Sequence, residues 1–146
     1  MARTDFYPLT VAAVEPLTDD AAAVSFEVPA ALRDTFRFKP GQSLTLRRGA
    51  ERRSYSICAP AGHAPRIGVR EVAGGAMSGW LVRQVRPGDV VDVQAPAGSF
   101  TPDLSEPGHH VLIAAGSGIT PVLSIAASVL QAHSGATVTL LYGNRR

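Results

Sequence analysis

A chain of 146 residues holds one ordinary domain, or one small domain and part of another. At 45% apolar and 18% charged residues, with no apolar run near the ~20 residues of a membrane span, the composition describes a soluble globular protein. A net charge of +2, aromatics at 6% and one dense basic cluster (Arg47, Arg48, Arg52, Arg53) exclude the basic stripe of a nucleic-acid binder, and the single Cys58 excludes an intrachain disulfide. One cysteine is also too few to ligate an iron–sulfur cluster, so any such carrier lies outside these residues. The opening MARTDFYPLT has neither the apolar stretch nor the cleavage site of a secretory signal, which makes the cytoplasm the expected compartment.

From Phe6 to about Pro96 short alternating runs are broken by Gly, Pro and Asp, as in antiparallel strands. Thr10 to Val14, Val24 to Val28, Leu44 to Arg47, the run RRSYSICAP, Arg66 to Val72 and Val90 to Gln94 give six strands, which predict a small closed barrel. Within the fourth run, Arg53, Ser54, Tyr55 and Ser56 place a cation, a ring and a hydroxyl at close spacing. A guanidinium binds a pyrophosphate through paired hydrogen bonds, and a phenol two residues on can lie against a flat conjugated system such as a flavin. Alternation aims Arg53 and Tyr55 the same way and turns Ser54 to the core.

Ser78 to Val85 breaks the strand rhythm with helical spacing, Ser78 being the expected N-cap. Gly74, Gly75, Ala76 and Met77 precede it, so amides and the positive helix end can converge on a phosphate; the plainer reading is a glycine loop before an ordinary cap. After Pro107 the pattern changes to an apolar strand (Val111 to Ala115), the turn Gly116, Ser117, Gly118, then a helix opened by Thr120 as cap and ended at Gly135. A buried strand, Thr137 to Tyr142, follows. Such a unit belongs to a doubly wound parallel sheet with a dinucleotide pyrophosphate at the turn, and here that sheet is incomplete. The fold class is thus mainly β, then α/β: a flavin lobe over 1–105 and the first part of a nucleotide lobe over 106–146. The apolar faces of 111–115 and 138–141 are expected to find a partner or stay exposed.

The order of motifs, FRFKPGQSLTL, RRSYSIC, EVAGGAMSGWL, IAAGSGITPVLSI and LLYGNRR, resembles the ferredoxin-NADP reductase superfamily. Within it the resemblance is to the reductases that serve a phenylacetyl-CoA epoxidase-like di-iron oxygenase. It implies FAD as cofactor and NAD(P)H as hydride donor, with single electrons passed to an iron–sulfur carrier. Arg53 would bind the FAD pyrophosphate, Tyr55 pack on the flavin, and Ser56 sit near flavin N5. Val69 and Arg70 would run along the adenosine, and Met77 and Ser78 form the phosphate loop. Gly116 and Gly118 would face the NAD(P) pyrophosphate, with Thr120 between flavin and nicotinamide; Ser56 and Thr120 are the expected catalytic positions. Relatives of this subtype continue into the rest of the nucleotide lobe and a 2Fe-2S domain, so the cluster is expected only in a missing domain or a separate partner, with an oxygenase component beyond it.

Plainer readings stand beside these. Cys58 and Trp80 are expected to pack, and Phe100 to cover a cofactor rim or dock on the barrel. His109 and His110 are expected as exposed turn residues, and Arg47, Arg48 and Arg52 as a charged strand edge or a dock for an acidic partner. Two other functions remain open: a flavin-binding module without independent turnover, and a flavin-free interaction barrel.

Overall fold

The computed structural model describes residues 5–105 and 107–145; residue 106, at the expected lobe boundary, lies outside them. Six strands, β1 (Phe6–Thr18), β2 (Ala21–Glu27), β3 (Ser43–Arg48), β4 (Glu51–Ser56), β5 (Arg66–Arg70) and β6 (Val90–Gln94), form one antiparallel sheet in the order β4-β3-β6-β1-β2-β5. Helix α1 (Ala76–Arg83) falls between β5 and β6. A second sheet pairs β7 (His109–Ala115) with β8 (Thr137–Gly143) in parallel through α2 (Ile119–Ala132).

Alternation builds the core, as the period-2 pattern dictates. Leu9 and Val11, Val24 and Phe26, Leu44 and Leu46, Ile67 and Val69, Val91 and Val93 all turn inward and are buried, with Met77 and Leu81 of α1 closing one end. At about 1.5–3 kcal/mol for each fully buried side chain, this cluster dominates the stability of the lobe. Strand β1 is longer than its sequence suggests because Pro8 and Pro16 are tolerated. Its first half pairs only with β6 and its second only with β2, so each half has a free edge where a missing N–H costs nothing.

The expected closed barrel is corrected to an open sheet. Its two edges, β4 and β5, meet only at an isolated bridge, Ile57↔Ile67, beside the Cys58 N–H that donates to the Arg66 carbonyl at 2.8 Å. The Ala59–Pro65 connection then leaves the sheet, and Pro60 and Pro65 have no N–H with which to extend a ladder.

In the second lobe, Ile125, Val129 and Ala136 pack with Leu112 and Val138. Only that face of the sheet is covered: on the other, Val111, Ile113 and Leu141 are exposed, Ile113 by 75%. The expectation of a buried last strand is corrected accordingly, since no element lies over this face among the described residues. Helix α2 ends at Ala132, with His133 as C-cap, before the expected Gly135. His109 and His110 open β7 instead of lying in a turn, and the His109 ring bonds Thr137 Oγ1 at 2.6 Å and Thr139 Oγ1 at 3.1 Å. Among the described residues no helix is long and apolar enough to cross a membrane.

Candidate functional site

Because β4 and β5 touch at one bridge and then diverge, a cleft opens between their edges. In the β3–β4 ladder the Ile57 N–H bonds the Gln42 carbonyl, so by alternation the backbone groups of Ser54 and Ser56 point to the open edge. On β5 the Glu71 N–H bonds Asp20 and the Arg66 carbonyl takes Cys58, which leaves the free-edge groups to Gly68 and Arg70. Beside the bridge that joins Ile57 to Ile67, the backbone groups of Ser54 and Ser56 thus face those of Gly68 and Arg70.

Arg53 and Tyr55 share a face, as their spacing predicts, paired across from Leu46 and Leu44. Tyr55 is half-buried against the core; burial raises its phenol pKa, and the nearby Arg53 charge opposes that rise. Arg53 is exposed, donates to the Arg52 carbonyl at 2.7 Å and makes no ion pair among the described residues. Ser54 does not turn to the core: it is exposed and its hydroxyl meets Thr45 Oγ1 at 2.7 Å, because alternation gives the inner face to the neighbouring Tyr55 ring. Ser56, half-buried, stands one residue from the bridge.

Val69 is buried in the core, and its backbone groups face β2. Arg70 is exposed and pairs with Asp20 at 3.2 Å; Thr18 first and then Arg70 hold that carboxyl below its usual range. The N-cap of α1 is Gly75, not Ser78. Ser78 sits inside the first turn, buried, where its hydroxyl accepts the Val72 N–H at 3.0 Å and donates to the Gly75 carbonyl at 3.3 Å. The Met77 side chain is buried as well. The first-turn amides of Ala76, Met77 and Ser78 have no acceptor within the helix and are the groups this loop can offer an anion.

Thr120 is likewise not a cap: it is the second residue of α2, behind Gly118. Its side chain abuts β5, since a Cβ built on Gly68 would lie 3.0 Å from Thr120 Cγ2 and 3.1 Å from Oγ1. Glycine at 68 lets α2 reach the mouth of the cleft. Gly116, at φ +55°, and Gly118 form a short 3-10 turn before α2, and Gly116 accepts from the Tyr142 hydroxyl at 3.3 Å.

The basic cluster is largely engaged elsewhere. Arg47 pairs with Asp92 at 3.0 Å, Arg47 and Arg52 lie over the Phe6 ring, and Arg48 lies over Trp80, which packs against the core as expected. Phe100 is exposed. No group of three or more His, Cys, Asp or Glu side chains suited to a metal occurs among the described residues.

Cys58 is half-buried, its thiol donating to the Arg66 carbonyl at 3.4 Å, and burial pushes its pKa up, with Arg66 opposing. Iodoacetamide at about pH 8 is therefore expected to label the native protein at least roughly tenfold more slowly than the urea-unfolded chain. Mass spectrometry reads the difference; equal rates would show an unshielded thiol.

The fold and these motifs define a two-lobed flavin and pyridine-nucleotide oxidoreductase scaffold. Residues 8–101 match the oxidoreductase FAD-binding domain family and residues 112–146 the oxidoreductase NAD-binding domain family, so the chain belongs to the ferredoxin-NADP reductase-like FAD-binding oxidoreductases. It is 41% identical to one of the subunits of the 1,2-phenylacetyl-CoA epoxidase of Escherichia coli (strain K12), over 97% of this chain and 42% of that protein. It is 42% identical to the ferredoxin reductase component of 3-ketosteroid-9-alpha-monooxygenase from Rhodococcus rhodochrous, over 94% of this chain and 40% of that one. Among solved structures, phthalate dioxygenase reductase, described as modular for electron transfer from pyridine nucleotides to 2Fe-2S, superposes with a TM-score of 0.81 at 28% identity. That match covers 97% of this chain and 44% of the other. The chain spans about two fifths of the length of the curated relatives it matches.

Proposed function

We propose that residues 1–105 bind FAD in the cleft between β4 and β5, and that residues 106–146 supply the first part of an NAD(P)-binding lobe. The whole serves an oxidoreductase that takes hydride from NAD(P)H and passes single electrons to an iron–sulfur carrier. On this reading the final acceptor is a phenylacetyl-CoA epoxidase-like di-iron oxygenase, because a component of such an epoxidase is among the relatives. The observation carrying the proposal is the convergence beside one bridge of Tyr55, Ser56, the β5 edge at Gly68 and Arg70, and Thr120 from the other lobe.

The residues present fit the cofactor. Tyr55 offers a ring already seated on the core, and Arg53 an exposed guanidinium free of acidic partners among the described residues. The amides of Ala76 to Ser78 suit a pyrophosphate. Met77 and Ser78 would act there through their N–H groups, since the Ser78 hydroxyl is already committed. Val69 would contribute only as packing beneath Gly68 and Arg70. When bound, FAD supplies the conversion of a two-electron hydride into single-electron steps. The chain's part is positional: Ser56 and Thr120 border the reacting edge, and Gly116 and Gly118 receive the nucleotide pyrophosphate.

Titrating the chain with FAD is expected to give a yellow complex with quenched flavin fluorescence, weakened by Tyr55→Ala. A protein that ignores FAD would sink the proposal in favour of an interaction barrel. The exposed face of β7 and β8 favours a second reading, a flavin-binding module without independent turnover. Anaerobic addition of NADPH or NADH separates the two, as bleaching supports turnover and a stable yellow colour supports the module.

A further inference from the structure

Serine inside a helix competes for the backbone and is neutral to unfavourable there, yet α2 carries two that are buried: Ser124 is fully buried and Ser128 is 3% exposed. Ser124 Oγ donates to the Ala59 carbonyl at 2.6 Å. Ser128 Oγ donates to the Ser124 carbonyl at 2.6 Å and accepts the Ala61 N–H at 2.9 Å. Each serine thus makes one bond to the loop that follows the Arg53 to Ser56 strand.

The polarity of the loop makes the match specific. Pro60 has no N–H, so the segment from Ala59 to Ala61 presents one acceptor and then one donor to the helix. Ser128, which already spends its proton on its own helix, has only lone pairs to offer. A one-turn slip of α2 that set Ser128 against Ala59 would oppose two acceptors. Apolar contacts tolerate such sliding; directional hydrogen bonds do not.

Thr120, Ser124 and Ser128 follow one another at four-residue spacing, so they form one stripe along the helix. That stripe meets the first lobe at three points: Gly68, Ala59 and Ala61. Ala59 in turn is three residues from Ser56, with the Ile57 bridge between.

We propose that Ser124 and Ser128 are positioning residues, a two-hydroxyl latch that fixes the rotation and axial register of α2 and thereby holds Thr120 at the mouth of the cleft. The functional half of this inference rests on the flavin site proposed above; the latch itself rests on the hydrogen bonds.

The test uses the 146-residue chain with Ser128→Ala, Ser124→Ala and the double substitution. Without flavin, amide exchange at Ala61 is expected to accelerate at least roughly tenfold in the double variant and in Ser128→Ala. With FAD, the double variant is expected to shift the visible circular dichroism of the bound flavin, while its FAD Kd moves less than about threefold, because the phosphate and ring contacts lie in the first lobe. Ser128→Ala, which keeps the Ser124 bond, is expected to give a smaller shift of the same sign and carries the test if the double variant does not fold. Unchanged Ala61 exchange would overturn the latch. Faster exchange with unaltered dichroism would overturn its link to Thr120. Wild-type protein that binds no FAD would overturn the flavin reading, and the exchange measurement would still decide the latch.

Discussion

Gly41→Ala is expected to destabilise the protein by about 3–5 kcal/mol, the sum of a left-handed backbone cost and an overpacked contact. Gly41 has φ +95°, and a Cβ there would lie 1.7 Å from the Phe100 carbonyl oxygen, 2.9 Å from its carbon and 3.3 Å from Ile125 Cδ1. The first two are backbone atoms of the segment joining the sheets, so no rotamer change relieves the clash. Gly49 is the control: its φ is +60°, but nothing lies within 4 Å of its built Cβ. Gly49→Ala should cost only the conformational term of about 1–2 kcal/mol. Urea unfolding midpoints measure both, and equal losses would show that the contact with Phe100 contributes nothing.

Arg53→Ala is expected to weaken FAD binding by about 30- to 4,000-fold, the range of a lost charged hydrogen-bond pair of about 2–5 kcal/mol. Its guanidinium rests on the Arg52 carbonyl and is exposed, so it can turn to a pyrophosphate without breaking an ion pair among the described residues. Arg53→Lys should recover part of the loss, since a lysine keeps the charge without the paired donors. Riboflavin is the discriminating ligand because it lacks phosphate. Its affinity should change little, and an equal loss for FAD and riboflavin would remove Arg53 from the pyrophosphate.

Much of this arrangement was legible in the residues. Alternation at Val24 and Phe26, Leu44 and Leu46 and Val91 and Val93 announced the strands, and it aimed Arg53 and Tyr55 together. The glycine turn ahead of an apolar helix announced the second lobe. Closure of the barrel was not legible, because it turns on which edges meet in space, and only one residue pair does. Capping misled at both helices: Ser78 and Thr120 have cap chemistry but lie inside the first turn, with Gly75 and Gly118 before them. There the polar side chains serve tertiary neighbours, the Val72 amide and Gly68. The serine pair of the latch had a signal, two hydroxyls one turn apart within an apolar helix. Its meaning needed the loop 65 and 67 residues earlier in the chain.

The lone Ile57↔Ile67 contact makes β4 and β5 behave like the legs of a pair of compasses. At about 3.3 Å per residue, Tyr55 lies some 6–7 Å along one leg, so a rotation of about 5° at the joint moves it by roughly half an ångström. The backbone joint at two buried isoleucines thereby sets how far the β4 and β5 edges stand apart.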